Sequence, residues 1–244
     1  MVLNFKKRRH KPLYKNFIPL KKNIQNRRRL NLLKFKKQKW EKLISYLKRL
    51  QTRRKKNFRM YDINQYFLPR FYNSFKRKYK NIIQTNKKFK LFYGGLLNKY
   101  IKKQIKTVLK QKNILLKNHT NLNSFFLSLF EQRLDIILYR SHFALSVRLA
   151  RQLISHRHVK VNDVIVNNNS FKLQKGDLIE IRDSGFKIVE SSIQNSHIWP
   201  IPPKYLNINY KTLQILYNGS IDSQNFSTYF PFWLDSNMII RYNK

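Results

Sequence analysis

Apolar residues recur with helical spacing along most of this 244-residue chain and change to strand spacing in one place. Between Phe35 and Leu50, Trp40, Leu43, Ile44 and Leu47 share one helical face, with Lys36, Lys37, Lys39, Lys42 and Lys48 elsewhere around it. A second helix is predicted from about Leu96 to Leu116, just after the break at Gly94-Gly95. Its dry face is Leu97, Ile101, Ile105, Val108 and Leu109, and its wet face carries Lys99, Lys102, Lys103, Lys106 and Lys110. Leu134, Ile137 and Leu138 are spaced i, i+3, i+4 and leave Arg133 and Arg140 to point outward.

Ser146 to His158 reads as a short amphipathic helix. At roughly 100° per residue, Val147, Ala150, Leu153 and Ile154 fall in one arc and Arg148, Arg151, Gln152 and Ser155 in the opposite one. The Ser146 hydroxyl is a candidate N-cap. After it the period changes: Val159 and Val161, Val164 and Val166, then Leu178, Ile179 and Ile181 alternate or cluster as strand formers do. Turn-rich Asn162-Asp163 and Asn167 to Ser170 separate them.

These patterns predict an α+β protein. A mostly helical basic body (32–130) follows a basic arm (1–31), read as extended because Pro12 and Pro19 interrupt any helix. A compact helix, helix and small-sheet module spans 131–186. In the segment 187–244, Lys187 to His197 reads as a polar connection, and Tyr205, Leu206, Leu213, Leu216, Phe230, Trp233 and Ile239 make the remainder too apolar for a free tail. Thr52 to Lys90 has no clear period, and its aromatics are read as core.

Charge sharpens this picture. The net charge is +41, and residues 1–130 alone hold 38 Lys or Arg against Glu41 and Asp62, a net +36. Residues 131–244 reach only +5. A half-chain of such self-repulsion calls for a polyanion. Aromatics interleaved with lysine favour RNA over DNA or an anionic membrane, because they offer stacking surfaces beside phosphate contacts. No apolar run approaches the ~20 residues of a membrane span, so a soluble chain or one bound to a large particle is expected. Absence of cysteine excludes disulfides and thiolate zinc sites.

The module carries a resemblance. Arg133-Leu134-Asp135, Tyr139-Arg140, Phe143-Ala144, Ala150-Arg151-Gln152-Leu153, His156, His158, Val161-Asn162 and Gly176-Asp177 ahead of Ile179-Glu180 match, in order and spacing, the RNA-binding module of the small-subunit ribosomal protein four family. Similar modules occur in tyrosyl-tRNA synthetases, pseudouridine synthases and a heat-shock RNA-binding protein. The flanks resemble the ribosomal family: Leu91 to Leu97 with Tyr100 to Lys103, Leu122 to Phe130, Pro202 to Leu206, and Met238 to Tyr242. The resemblance implies a C-terminal segment that returns to the body, with the module inserted in the chain. It also implies binding to small-subunit rRNA, nucleation of subunit-body assembly, and a place near the mRNA entry beside other small-subunit proteins. No membrane association or homo-oligomer is expected. The alternative is a non-ribosomal RNA-binding or assembly factor using the same module.

Three positions depart from the family pattern. His142, Arg157 and Asp163 stand where glycine is usual, so either the cap at Arg157 is altered or an RNA contact there compensates. The outward arc of the central helix supplies the first candidate RNA contacts: Arg148, Arg151, Gln152 and Ser155. His156, Arg157, His158 and Lys160 at its exit form a second group, and Arg133 completes the set. Capping is the competing role for the histidines.

No pair of acids suits acid–base catalysis, and His156 and His158 at i, i+2 lack a third metal ligand. Arg133-Leu134-Asp135 superficially matches a pseudouridine synthase motif without its continuation, so Asp135 is read as structural or as an ion-pair partner. No enzyme, metal or cofactor is expected. Alanine occurs only at 144 and 150 while Phe, Tyr, Ile, Asn and Lys abound. That bias of AT-rich coding points to a mitochondrion, with a plastid or bacterial cytoplasm as alternatives.

Overall fold

The computed structural model describes residues 14–20, 24, 38–57, 75–111, 121–196, 202–219, 230, 232 and 234–243. It is α+β, with two hydrophobic cores. The body core gathers α1 (Tyr14–Leu20), α2 (Gln38–Asn57), α3 (Phe75–Phe92), α4 (Asn98–Lys110), α5 (Leu122–Glu131) and the C-terminal α9 (Ser236–Asn243). The module core lies between α6 (Leu134–Arg140), α7 (Val147–Ser155) and an antiparallel sheet, with α8 (Asp183–Gln194) against it.

The sheet has five strands in the order β2 (Val164–Ile165), β1 (Val159–Val161), β3 (Leu178–Ile181), β5 (Gln214–Tyr217) and β4 (Leu206–Asn209). Its register sets Val161 opposite Ile179, Ile179 opposite Ile215, and Ile215 opposite Ile208. One face of this row is therefore apolar and meets α6 and α7, as period-two alternation requires.

Several sequence expectations change here. Within the arm, Tyr14–Leu20 is helical, with Pro19 as its next-to-last residue, so the proline shortens the helix rather than preventing it. Phe17, Leu20 and Ile24 are buried in the body core. Helix α2 extends to Asn57 and α3 occupies Phe75–Phe92, so the end of the first and most of the second fall in the stretch without clear period. Residues 58–74, and the other parts of the arm, lie outside the described residues. In α4, Ile101, Ile105 and Val108 are buried as expected, but Leu97 and Leu109 are exposed and Gln104 is buried instead.

The segment after the module departs most. Lys187 to Gln194 belongs to α8, since Gly185, Val189 and Ser192 repeat at helical spacing on its buried side. Gly185 permits the close approach: a Cβ there would sit 3.0 Å from His158 Cβ. The C-terminal segment then divides its loyalty. Residues 206–217 extend the module sheet, and Phe230, Phe232 and Ile239 return to the body core.

Candidate nucleic-acid interface

Helix α7 is fixed at both ends by its own sequence. Ser146 is extended, and its Oγ accepts a hydrogen bond from Leu149 N at 3.2 Å. At the other end Arg157 is left-handed, with φ 59°. Its amide bonds Ile154 O at 2.9 Å, and His158 N bonds Leu153 O at 3.0 Å. This is the paired bonding of a Schellman stop, made here without glycine. Val147, Ala150, Leu153 and Ile154 are all buried, so the expected dry face is the observed one. His142 is likewise left-handed after α6, and Asn162 and Asp163 both have positive φ in the two-residue β1–β2 turn. Such a turn suits the twist of a hairpin. The Asn162 side chain is held there, donating to Asp177 Oδ1 and accepting from Leu178 N.

The nine candidate residues do not form one surface. Arg148, Gln152, Ser155, His156 and Arg157 are exposed along α7 and its exit. Ser155 Oγ donates to Arg151 O at 2.8 Å. His158 is half-buried, with Nδ1 at 2.8 Å from Ser184 Oγ of α8, and its ring lies nearly parallel to that of His156. Lys160 sits between buried Val159 and Val161, so alternation sends its side chain to the sheet face away from α7.

Arg133 is buried rather than outward. Its guanidinium grips Asp135 through Nε and Nη2, at 3.0 and 2.9 Å, and stacks 5.3 Å over the Tyr100 ring of α4. Burial works against its charge, yet Asp135 raises its pKa above the ordinary value. Arg140 is buried too, bonded to Glu131, because apolar neighbours on both sides of α6 leave no outward face at that turn. Arg151 is in between. Its Nε reaches Asp135 Oδ2 at 2.8 Å, while Nη1 and Nη2 donate to Gly94 O and Tyr93 O. Gly94, at φ +75°, makes room: a Cβ there would lie 2.8 Å from Arg151 Nη2. The Arg133-Leu134-Asp135 run is thus a structural clamp at the start of α6.

Arg182 was missed by the sequence reading. It is exposed just after β3, and its Nη1 reaches Arg157 O at 3.3 Å, which adds a cation to the helix exit. A basic residue directly after an alternating strand was the available signal. Among the described residues there is no group of three or more His, Asp or Glu fit to hold a metal ion. No described helix is long and apolar enough to cross a membrane. What the exposed arc of α7 offers is guanidinium and amide donors on a rigid helix, which suit phosphate oxygens and ribose hydroxyls.

Comparison with known proteins agrees with this geometry. Residues 132–179 match the S4 domain. The small ribosomal subunit protein uS4m of Reclinomonas americana is 31% identical over 198 residues, covering 74% of this chain and 74% of that one. Its counterpart in Marchantia polymorpha is 35% identical over 164 residues, 64% of this chain and 75% of the relative. The bacterial uS4 of Pelagibacter ubique is 31% identical over 161 residues, 66% and 74% respectively. Likeness of this extent reaches well beyond the 48 residues of the matched domain, and the chain belongs to the small ribosomal subunit protein uS4 family.

Proposed function

We propose that this chain is a structural constituent of a mitochondrial ribosome small subunit, where it binds small-subunit rRNA. The observation that carries the reading is the join of a family-wide match over three-quarters of the chain to an α7 whose dry face is fully buried and whose outer arc is cationic. Arg148, Gln152 and Arg157 are the leading contacts, with His156 and Arg182 beside them. Arg133 and Arg151 act from behind, by holding the helix in place. Ser155, His158 and Lys160 lie at the margins. RNA of this class is read by shape through phosphates and 2′-hydroxyls, so specificity comes from where the donors are held.

The role is assembly rather than turnover: early binding that nucleates the subunit body, then a place near the mRNA entry among neighbouring small-subunit proteins, as a single copy. Sedimentation of a native mitochondrial lysate in high salt tests this. The chain should travel with the small subunit through the salt wash. Release into light fractions would instead identify a loosely held RNA-binding factor.

A further inference from the structure

Two fully buried carboxylates sit where the two cores meet. Glu131, the last residue of α5, accepts hydrogen bonds from Tyr93 Oη at 2.5 Å, from Arg140 Nε and Nη2 at 3.0 and 2.6 Å, and from Tyr205 Oη at 2.8 Å. Tyr93 follows α3 in the body, whereas Tyr205 leads into β4 of the module sheet. Asp135 joins Arg133 to Arg151, and Arg151 continues to the carbonyls of Tyr93 and Gly94. The guanidiniums also stack across the boundary: Arg133 over Tyr100, and Arg140 at 4.8 Å over Phe92 and 5.1 Å over Phe230.

Stability alone is a poor reason for such groups, since a buried ion pair often does no better than apolar residues of equal volume. A directional, fully bonded network adds something that apolar packing does not: it admits one relative orientation. Two exposed basic faces hang on it. One is the outer side of α4, with Lys99, Lys102, Lys103 and Lys106, and the other is the Arg148–Gln152 arc of α7.

We infer that Glu131 and Asp135 are positioning residues for RNA recognition, holding the α4 and α7 basic faces at one fixed orientation so that the chain selects RNA limbs of matching spacing. The inference rests on the RNA-binding reading above, and it locates selectivity in carboxylates that touch no RNA. Loss of either one leaves the phosphate contacts intact and removes only their preorganisation.

The absence of cysteine makes the test direct. Spin labels at Leu97→Cys and Glu190→Cys, both exposed and outside the candidate contacts, report the body-to-module distance. The labelled chain should give one narrow distance distribution with and without small-subunit rRNA. Glu131→Gln with Asp135→Asn should broaden the RNA-free distribution and weaken rRNA binding about tenfold. The slope of log affinity against log salt should stay the same, because that slope counts phosphate contacts. A fall in the slope, or full affinity despite broadening, would overturn the inference.

Tyr93→Phe with Tyr205→Phe keeps both ring volumes and removes two of the Glu131 donors, so it serves if the double carboxylate variant does not fold. It should shift distance and affinity in the same direction by a smaller factor, and no shift in either would count against the proposal. Binding by the parent chain with an already broad distribution would overturn this inference alone. No rRNA binding by the parent chain would overturn the RNA reading with it.

Discussion

The body core and the module core are built from different side chains. Around Phe89 the body packs Tyr93, Phe126 and Phe130 with ring centroids 4.8, 5.8 and 5.1 Å away, and Phe92 meets Phe230 at 5.0 Å. The module core is mostly Leu, Ile, Val and Ala drawn from residues 134–217. Helices from distant parts of the chain leave wide spaces, which large flat rings fill, edge to face between Phe89 and Tyr93 or Phe130 and stacked between Phe89 and Phe126. A small sheet under two helices is filled by β-branched residues that also favour strands. One core thus depends on long-range assembly and the other on nearly contiguous sequence. Helix α6 joins them, with Ile136 in the body core and Ile137 in the module core.

The most disruptive change is Phe89→Ala, which empties the centre of the aromatic core and should cost about 3–5 kcal/mol. The module should melt with the body in one transition by denaturant titration. Amide protection that survived in β1 and β3 would show two independent folding units. Alkali tests the seam between the cores. Burial, and then the neighbouring Glu131, raise Tyr93 and Tyr205 well above the usual tyrosine value of 10.0. The unfolded chain then loses protons that the folded chain keeps. Stability is therefore intact below pH 10 and declines above it, by about 1.4 kcal/mol per pH unit for each tyrosine. Tyr93→Phe with Tyr205→Phe should flatten that decline in a series of melts from pH 9 to 11.5.

The two arginines of α7 separate support from contact. Arg151→Ala strips one partner from the buried Asp135 and should cost about 1–3 kcal/mol of stability while leaving the salt slope of rRNA binding unchanged. Arg148→Ala should do the reverse, keeping the melting temperature and lowering the slope by about 1. Equal behaviour of the pair would erase the distinction drawn here. The smallest effect is at the helix stop: Arg157→Gly relieves a left-handed non-glycine residue and should stabilise by about 1 kcal/mol. Weaker rRNA binding by that stabilised variant would assign Arg157 a contact.

The module was legible because its signals are local. A capping serine, a clean arc of four apolar positions, and strand runs split by Asn-Asp need no distant partner to be read. The body was less so. Phe75–Phe92 shows only a smeared period, because Phe89, Phe92 and Tyr93 face neighbours on several sides. Residues 187–194 looked polar, since α8 buries only a narrow edge, Gly185, Val189 and Ser192, with Gly185 against His158 and Ile181. Among the candidate contacts, Arg148 and Arg151 are alike in sequence but differ in place, because the second lies over the Gly94 turn.

By itself the sequence determined what local chemistry determines: the capping serine and dry face of α7, a break between strands at Asn162-Asp163, the polyanion-seeking charge of the first half, and the family resemblance. Tertiary structure alone decided which cations are free. Glu131 draws buried Tyr93 and Tyr205 from segments far apart in the chain, Asp135 ties Arg133 to the half-buried Arg151, and no periodicity encodes such pairings. A charged side chain is assigned to RNA or to the core by whether a buried carboxylate meets it, and that meeting exists only once the body and the module have packed.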